Sequence, residues 1–217
     1  MRLYLSSYRI GNAPDDLVGM VGGKKRVAVV INAHDYWPIE GRNDQLRKQS
    51  AQLSALGFQP EELDLREFFN KPLELETKLS QFGLVWLKGG NSFVLKRAIE
   101  QSGFDVVIKK MLATDHLAYG GFSAGVIVAT PTMRGIELAD YPEQVPDGYK
   151  AKFSWDGMAL VPYSFVPHYR SNHPESAAME KVVEYFKEHQ MPYRALRDGE
   201  VMIVEDGVER LAGRPNS

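Results

Sequence analysis

Leu117-Ala118-Tyr119-Gly120-Gly121-Phe122-Ser123-Ala124-Gly125-Val126-Ile127-Val128-Ala129 reads as a strand, a tight turn and the start of an apolar helix. The small residues around Ser123 let the backbone reverse direction in very little space, as a strand-to-helix turn at a sheet edge requires. Working back, Leu84-Val85-Trp86-Leu87 is a second apolar strand that runs directly into Gly89-Gly90-Asn91-Ser92. Helices are expected after it, over Phe93 to Gln101 and Val106 to Ala113. Arg26 to Ala33 is a β-branched run suited to a strand buried on both faces, and Arg2 to Ser6 and Glu62 to Leu65 read as further short strands. From Asp44 to Leu56, Leu46, Leu53 and Leu56 recur at helical spacing, and Gly57 offers a stop. Short apolar runs alternating with amphipathic stretches predict an α/β three-layer sandwich, a mostly parallel central sheet with helices on both faces.

Further along, periodicity fades between Pro131 and Pro162, a stretch interrupted by prolines and glycines. An irregular segment of that length inside a compact domain is expected to be a functional loop or lid. Pro174 opens a helix with Met179, Val182, Val183 and Phe186 on one stripe. Val201 to Val204 and Val208 to Leu211, joined through Asp206-Gly207, predict a C-terminal β-hairpin. No boundary interrupts this pattern, so residues 1–217 are expected to form one domain.

Composition narrows the function classes. The 217 residues carry 26 basic and 28 acidic side chains, a net charge of −2. That balance argues against nucleic acid as a partner, which needs a clustered basic surface. Apolar residues at 44% and charged residues at 25% suit a globular domain. The absence of cysteine removes disulfides, thiolate metal sites and a cysteine nucleophile. Met1 to Ser7 is too poor in apolar residues for a secretory leader and no long apolar run occurs, so a cytoplasmic protein without a membrane partner is expected.

Gly121-Phe122-Ser123-Ala124-Gly125 is a G-x-S-x-G turn, which lifts a serine hydroxyl above the sheet at a helix N-terminus. There the backbone N–H groups and the positive end of the helix dipole face a developing oxyanion. Ser123 is therefore the candidate nucleophile. Gly89-Gly90-Asn91 lies at the same sheet edge, where the Gly90 N–H is expected to join that of Ala124 as an oxyanion donor and Asn91 to contact substrate. Of five histidines, His168 is the best placed as general base, at the end of the apolar stretch Tyr163 to Val166. His173 is next, His34 is a candidate cleft contact, and His116 and His189 read as surface positions. For the acid that orients the imidazole, Glu137 is favoured, with Asp140 close behind and Asp198 as the later alternative. His168 and His173 are five apart, unsuited to share a metal from one helical turn, and no H-E-x-x-H occurs. Neither a metal nor a cofactor is expected.

Lys88-Gly89-Gly90-Asn91-Ser92-Phe93, Gly121-Phe122-Ser123-Ala124-Gly125 and Pro167-His168-Tyr169, in this order, resemble the peptidase E family. These are serine peptidases related to cyanophycinase, with a fold similar to class I glutamine amidotransferases. The resemblance spans about Leu84 to Asp198. It implies Ser123 as nucleophile, His168 as base and Gly90 with Ala124 as oxyanion donors, and it supports an acid in the Glu137–Asp140 stretch. The family's best-known activity removes an N-terminal aspartate from dipeptides, using an arginine in the helix after the histidine. Here the helix from Pro174 to Gln190 contains no arginine; Arg170 is the nearest substitute and Arg134 another.

The expected function is thus a serine dipeptidase or exopeptidase acting on short peptides, as a monomer or homodimer. An inactive amino-acid- or peptide-binding member of the fold and a small esterase of α/β-hydrolase type are the alternatives.

Overall fold

A computed structural model describes residues 1–215; the last two positions of the expected domain lie outside the described residues. In chain order the elements are β1 (Arg2–Ser6), α1 (Pro14–Val21), β2 (Arg26–Val30), α2 (Ile39–Ala55), β3 (Gln59–Glu62), α3 (Pro72–Leu79), β4 (Leu84–Leu87) and α4 (Ser92–Ser102). They continue with α5 (Phe104–Ala113), β5 (Ala118–Phe122), α6 (Ala124–Ile127), β6 (Ser164–Val166), α7 (Ser176–Glu188), β7 (Tyr193–Ala195), β8 (Val201–Glu205) and β9 (Val208–Ala212).

Seven strands form one sheet in the order β3-β2-β4-β5-β1-β8-β9. The first five run parallel, and β8 and β9 add antiparallel at the β1 side. The period-two alternation of strand side chains divides the core into two layers. Leu3, Leu5, Ala28, Val30, Val85, Leu87 and Tyr119 face α3 to α7. Tyr4, Val27, Val29, Leu84, Trp86, Ala118 and Phe122 face α1 and α2. This is the expected three-layer arrangement with its C-terminal hairpin, turned through Asp206 and Gly207, both at positive φ. A separate two-stranded parallel sheet pairs β6 with β7.

Several local expectations shift. The run from Arg26 ends as a strand at Val30, and Asn32–His34 turns into a 3-10 helix. The strand expected at residues 62–65 lies earlier, at Gln59–Glu62, because its partner β2 begins at Arg26. The apolar helix after Ser123 is one turn long, Ala124–Ile127. The irregular stretch 131–162 holds only a 3-10 turn, Ile136–Leu138. It is nevertheless packed down: Met133, Ile136, Met158 and Leu160 are buried, and Arg97 of α4 donates to the carbonyls of Pro142 and Ala151.

Candidate active site

The carboxyl ends of β2, β4, β5 and β1 converge, as open α/β sheets arrange their ligand sites. A cleft of about 490 Å³ opens there, bordered by His34 after β2, Gly89 and Gly90 after β4, Ser123 after β5 and Tyr8 after β1. His168, which follows β6 in the small sheet, borders the same cleft.

Ser123 occupies a strained turn. Its φ of 49° and ψ of −114° lie where a side chain is disfavoured, a cost that persists only when the surroundings enforce it. The enforcement comes from the flanking glycines: a Cβ at Gly121 would lie 2.6 Å, and one at Gly125 2.3 Å, from the Leu87 carbonyl oxygen. Only bare backbone lets β5 and α6 close on β4 this tightly. The Ser123 side chain is 7% exposed, and its hydroxyl makes no hydrogen bond among the described residues. The N–H groups of Gly90 and Ala124 are likewise uncommitted there, as donors awaiting an oxyanion must be.

His168 is also at positive φ, 59°, and its ring is 1% exposed. Its Nδ1 lies 2.8 Å from Asp198 Oδ1. The Ser7 hydroxyl accepts the His168 backbone N–H at 2.8 Å and donates to Asp198 Oδ1 at 2.9 Å. The Asp198 N–H in turn donates to Ser171 Oγ at 2.8 Å. Burial pushes the Asp198 carboxyl up, but hydrogen bonds from His168 and Ser7 outweigh it and hold the group below the ordinary carboxylate range. An anionic carboxylate on Nδ1 fixes the proton there and leaves Nε2 as the basic nitrogen. Nε2 is 3.9 Å from Glu175 Oε2 on one side.

This geometry corrects the expected acid. Glu137 sits on the exposed face of the Ile136–Leu138 turn and makes no contact with His168; the imidazole partner is Asp198, earlier ranked behind Glu137 and Asp140. Asp140 borders the cleft, but its Oδ2 accepts the Ser92 N–H at 2.6 Å at the start of α4. Burial raises its carboxyl to about 6. Asn91, expected to contact substrate, borders the cleft, with its side-chain polar atoms bonded within the fold. Its Oδ1 caps α4 by accepting from Phe93 and Val94 at 2.9 Å, and its Nδ2 donates to the Tyr141 carbonyl. Arg170 is exposed, lies over the Tyr169 ring and does not border the cleft. Arg134 lies over Trp155 instead. The cleft cation is Lys88, half-buried beside Gly89 and 5.4 Å above the Phe122 ring.

His173 stacks on His168 at 3.6 Å with the ring planes 6° apart. Burial and the adjacent His168 lower it to about 4, so it stays neutral at neutral pH. His168, His173 and Glu175 offer ligand atoms within 4.8 Å of one another, but the lone pairs of the two stacked rings lie in parallel planes about 3.6 Å apart, a poor fit to a single ion. His34 borders the cleft, pushed down to about 3 by burial and then by Lys88 and Arg42. His116 and His189 lie outside it, bonded to the carbonyls of Ser80 and Tyr185.

Comparison with known proteins follows this geometry. A family model described as "Peptidase family S51" matches residues 15–211. A Drosophila melanogaster protein named "Probable alpha-aspartyl dipeptidase" is 29% identical over 165 residues, 74% of this chain and 65% of that protein. A Streptomyces coelicolor protein named "Peptidase E" is 30% identical over 141 residues, 63% of this chain and 54% of its own length. The chain therefore spans between half and two thirds of these relatives. A crystal structure from Listeria monocytogenes EGD-e, described as a "Putative Peptidase E Protein", superposes with a TM-score of 0.79. It covers 98% of both chains at 22% identity, a likeness of fold. No helix among the described residues is long and apolar enough to cross a membrane.

Proposed function

Since the chain belongs to peptidase family S51, we propose that it is a serine peptidase that hydrolyses short peptides. In this reading Ser123 is the nucleophile, His168 the general base and acid, and Asp198 the group that orients the imidazole. The observation that carries it is the Asp198–His168 hydrogen bond of 2.8 Å on a ring that borders the same cleft as the uncommitted Ser123 hydroxyl.

The reaction follows from these placements. A peptide carbonyl lies over Ser123, its oxygen toward the N–H groups of Gly90 and Ala124. Nε2 of His168 takes the Ser123 proton as Oγ adds to the carbonyl carbon, and the resulting imidazolium is stabilised by Asp198. The two N–H groups stabilise the negative oxygen; one such donor is worth roughly 3–4 kcal/mol in the transition state. Collapse of the tetrahedral species expels the amine, which receives the proton from Nε2. Water then enters and gives a proton to Nε2 as its oxygen adds to the acyl carbon; the C–Oγ bond breaks as Nε2 returns that proton to Ser123, and the acid is released. The stretch Ala139–Tyr141 walls the cleft on one side and favours short substrates over folded chains. The lack of cysteine fits a cytoplasmic setting.

The test is hydrolysis of a dipeptide panel that includes Asp-X members, together with labelling by a serine-directed fluorophosphonate. Wild type is expected to cleave members of the panel and to be labelled, and Ser123→Ala to do neither while keeping its circular dichroism spectrum. Cleavage by Ser123→Ala at the wild-type rate overturns the assignment. An unlabelled wild type that binds peptides without cleaving them favours the inactive binding protein.

A further inference from the structure

The chain has ten phenylalanines, ten tyrosines and three tryptophans. Among the described residues only Tyr36, Trp37 and Tyr141 of these are exposed, at 38%, 38% and 68%. All three border the cleft that holds Ser123. They come from two separate segments, the turn between β2 and α2 and the stretch 131–162. Single exposed apolar side chains are ordinary on a protein surface. Every exposed ring gathered at one cleft is different: it leaves an apolar surface whose covering by a ligand is favourable.

The rings are also braced. His34 and Tyr36 both stand edge-on to Trp37, with centroids 4.9 and 6.2 Å away. A Cβ at Gly41 of α2 would lie 3.3 Å from Trp37 Cε3, so the indole rests against bare helix backbone. A Cβ at Gly90 would lie 2.8 Å from His34 Cε1, so one imidazole lies against both the indole and the oxyanion turn. Asn91, next to Gly90, fastens both aromatic segments. Its N–H donates to the Ala33 carbonyl at 3.0 Å and its Nδ2 to the Tyr141 carbonyl at 3.1 Å. The Tyr141 N–H in turn donates to Asp140 Oδ1 at 3.2 Å. Tyr141 therefore combines a pinned backbone with a ring in water. Rings with two rotatable bonds on a fixed backbone lose little freedom when a ligand covers them.

We infer that Tyr36, Trp37 and Tyr141 form a subsite for a large apolar side chain, aromatic by preference, of the peptide whose scissile carbonyl lies over Ser123. The inference rests on the peptidase reading above and adds an apolar residue to the substrates it takes. Two positions in a dipeptide offer that side chain, the residue whose carbonyl is attacked and the residue that leaves as the amine. Because both aromatic segments hang on Asn91, the subsite is built onto the turn that supplies the Gly90 N–H. Filling it sets the peptide against the oxyanion donors.

In the experiment, the fastest-cleaved dipeptide of the panel is varied at each of its two positions through Gly, Ala, Leu and Phe. The kcat/KM values are read for wild type, Trp37→Ala and Tyr141→Ala. Wild type is expected to favour Phe over Gly by about tenfold or more at one position, the size of discrimination that apolar contacts give. The position that shows the preference identifies which residue of the dipeptide fills the subsite. The Phe-to-Gly ratio is expected to fall towards one in Trp37→Ala, and a ratio taken within each variant cancels any loss of folded enzyme. No preference for Phe at either position in wild type, or a ratio undiminished in both variants, overturns the subsite. Calorimetric titration of Phe-Gly, Gly-Phe and Gly-Gly into Ser123→Ala reads it without turnover. Tighter binding of a Phe peptide, weakened in Ser123→Ala/Trp37→Ala, supports the subsite. Phe peptides that bind no better than Gly-Gly, or equally well without the indole, overturn it. So does a dimer in sedimentation that Tyr141→Ala dissociates, since a second copy would then cover the rings. Wild type that cleaves no dipeptide sinks the peptidase reading, while the titration still decides the subsite.

Discussion

Ser7 belongs to no motif, yet its hydroxyl meets both His168 and Asp198. It fixes the backbone of one and the carboxylate of the other, so Ser7→Ala should act on positioning. Expected are a lower kcat with KM little changed and a loss of about 1–2 kcal/mol in stability, the usual cost of unmade buried hydrogen bonds. A proportional rise in KM would argue for a direct substrate contact instead. Asp198→Asn should cost more, on the order of 10³- to 10⁴-fold in kcat, since the amide favours the wrong tautomer of the imidazole. Glu137→Gln should leave hydrolysis near wild type. Reversal of these two results would restore Glu137 as the orienting acid. Because the folded Asp198 carboxyl is held below its unfolded value, its stabilisation is complete above about pH 4 and is lost as pH falls through the folded value. The stability advantage of wild type over Asp198→Asn should therefore shrink in acid, as paired chemical denaturation curves would show.

The residues around Ser123 were legible because turn geometry constrains them locally: glycine is the only kind of residue that fits at 121 and 125 against the Leu87 carbonyl. Asp198 and Ser7 were not, since their proximity to His168 is created by packing between distant segments. Asn91 borders the cleft as the sequence suggests, but its second task was not legible: a side chain good at contacting ligands is equally good at capping a helix, and its Oδ1 caps α4.

At the scale of elements, the β5–α6 turn tolerates no added atom. Gly125→Ala would force a methyl against the Leu87 carbonyl, and destabilisation of about 3 kcal/mol or more is expected from overpacking at a site walled by backbone. A thermal midpoint equal to that of wild type would contradict the tight closure. The start of α4 carries a pH-dependent element of the opposite sign to Asp198. The Asp140 carboxyl, raised to about 6 by burial, binds its proton more tightly folded than unfolded, where the reference is about 3.9. Stability should thus fall as pH rises from about 4 to 6 and level off above, and Asp140→Asn should remove that slope. Strands with strong β-branched runs and helices with clear stripes were readable from sequence. Helices α1 and α3 and strand β7 were not, because eight-residue helices and three-residue strands hold too few residues for periodicity to register.

Across the whole molecule, the candidate site joins residues from the two ends of the chain: Ser7 follows the first strand and Asp198 precedes the eighth. Partial unfolding of either end therefore dismantles the Ser7–Asp198–His168 arrangement. Activity and far-ultraviolet circular dichroism should be lost at the same urea midpoint, the signature of a single cooperative unit; activity lost well before the dichroism would show that the ends detach first. The two rims of the main sheet differ in kind. At β3 the Gln59 and Leu63 N–H groups bond to Lys25 and Val29, so the alternating position held by Pro60 points outward and has no hydrogen to give. At β9, Val208 to Leu211 stand exposed with their outward amides available. Pro60 thus leaves a gap in the row of donors along the β3 rim, while the β9 rim offers an unbroken one, so a strand from another copy meets less backbone at β3 than at β9.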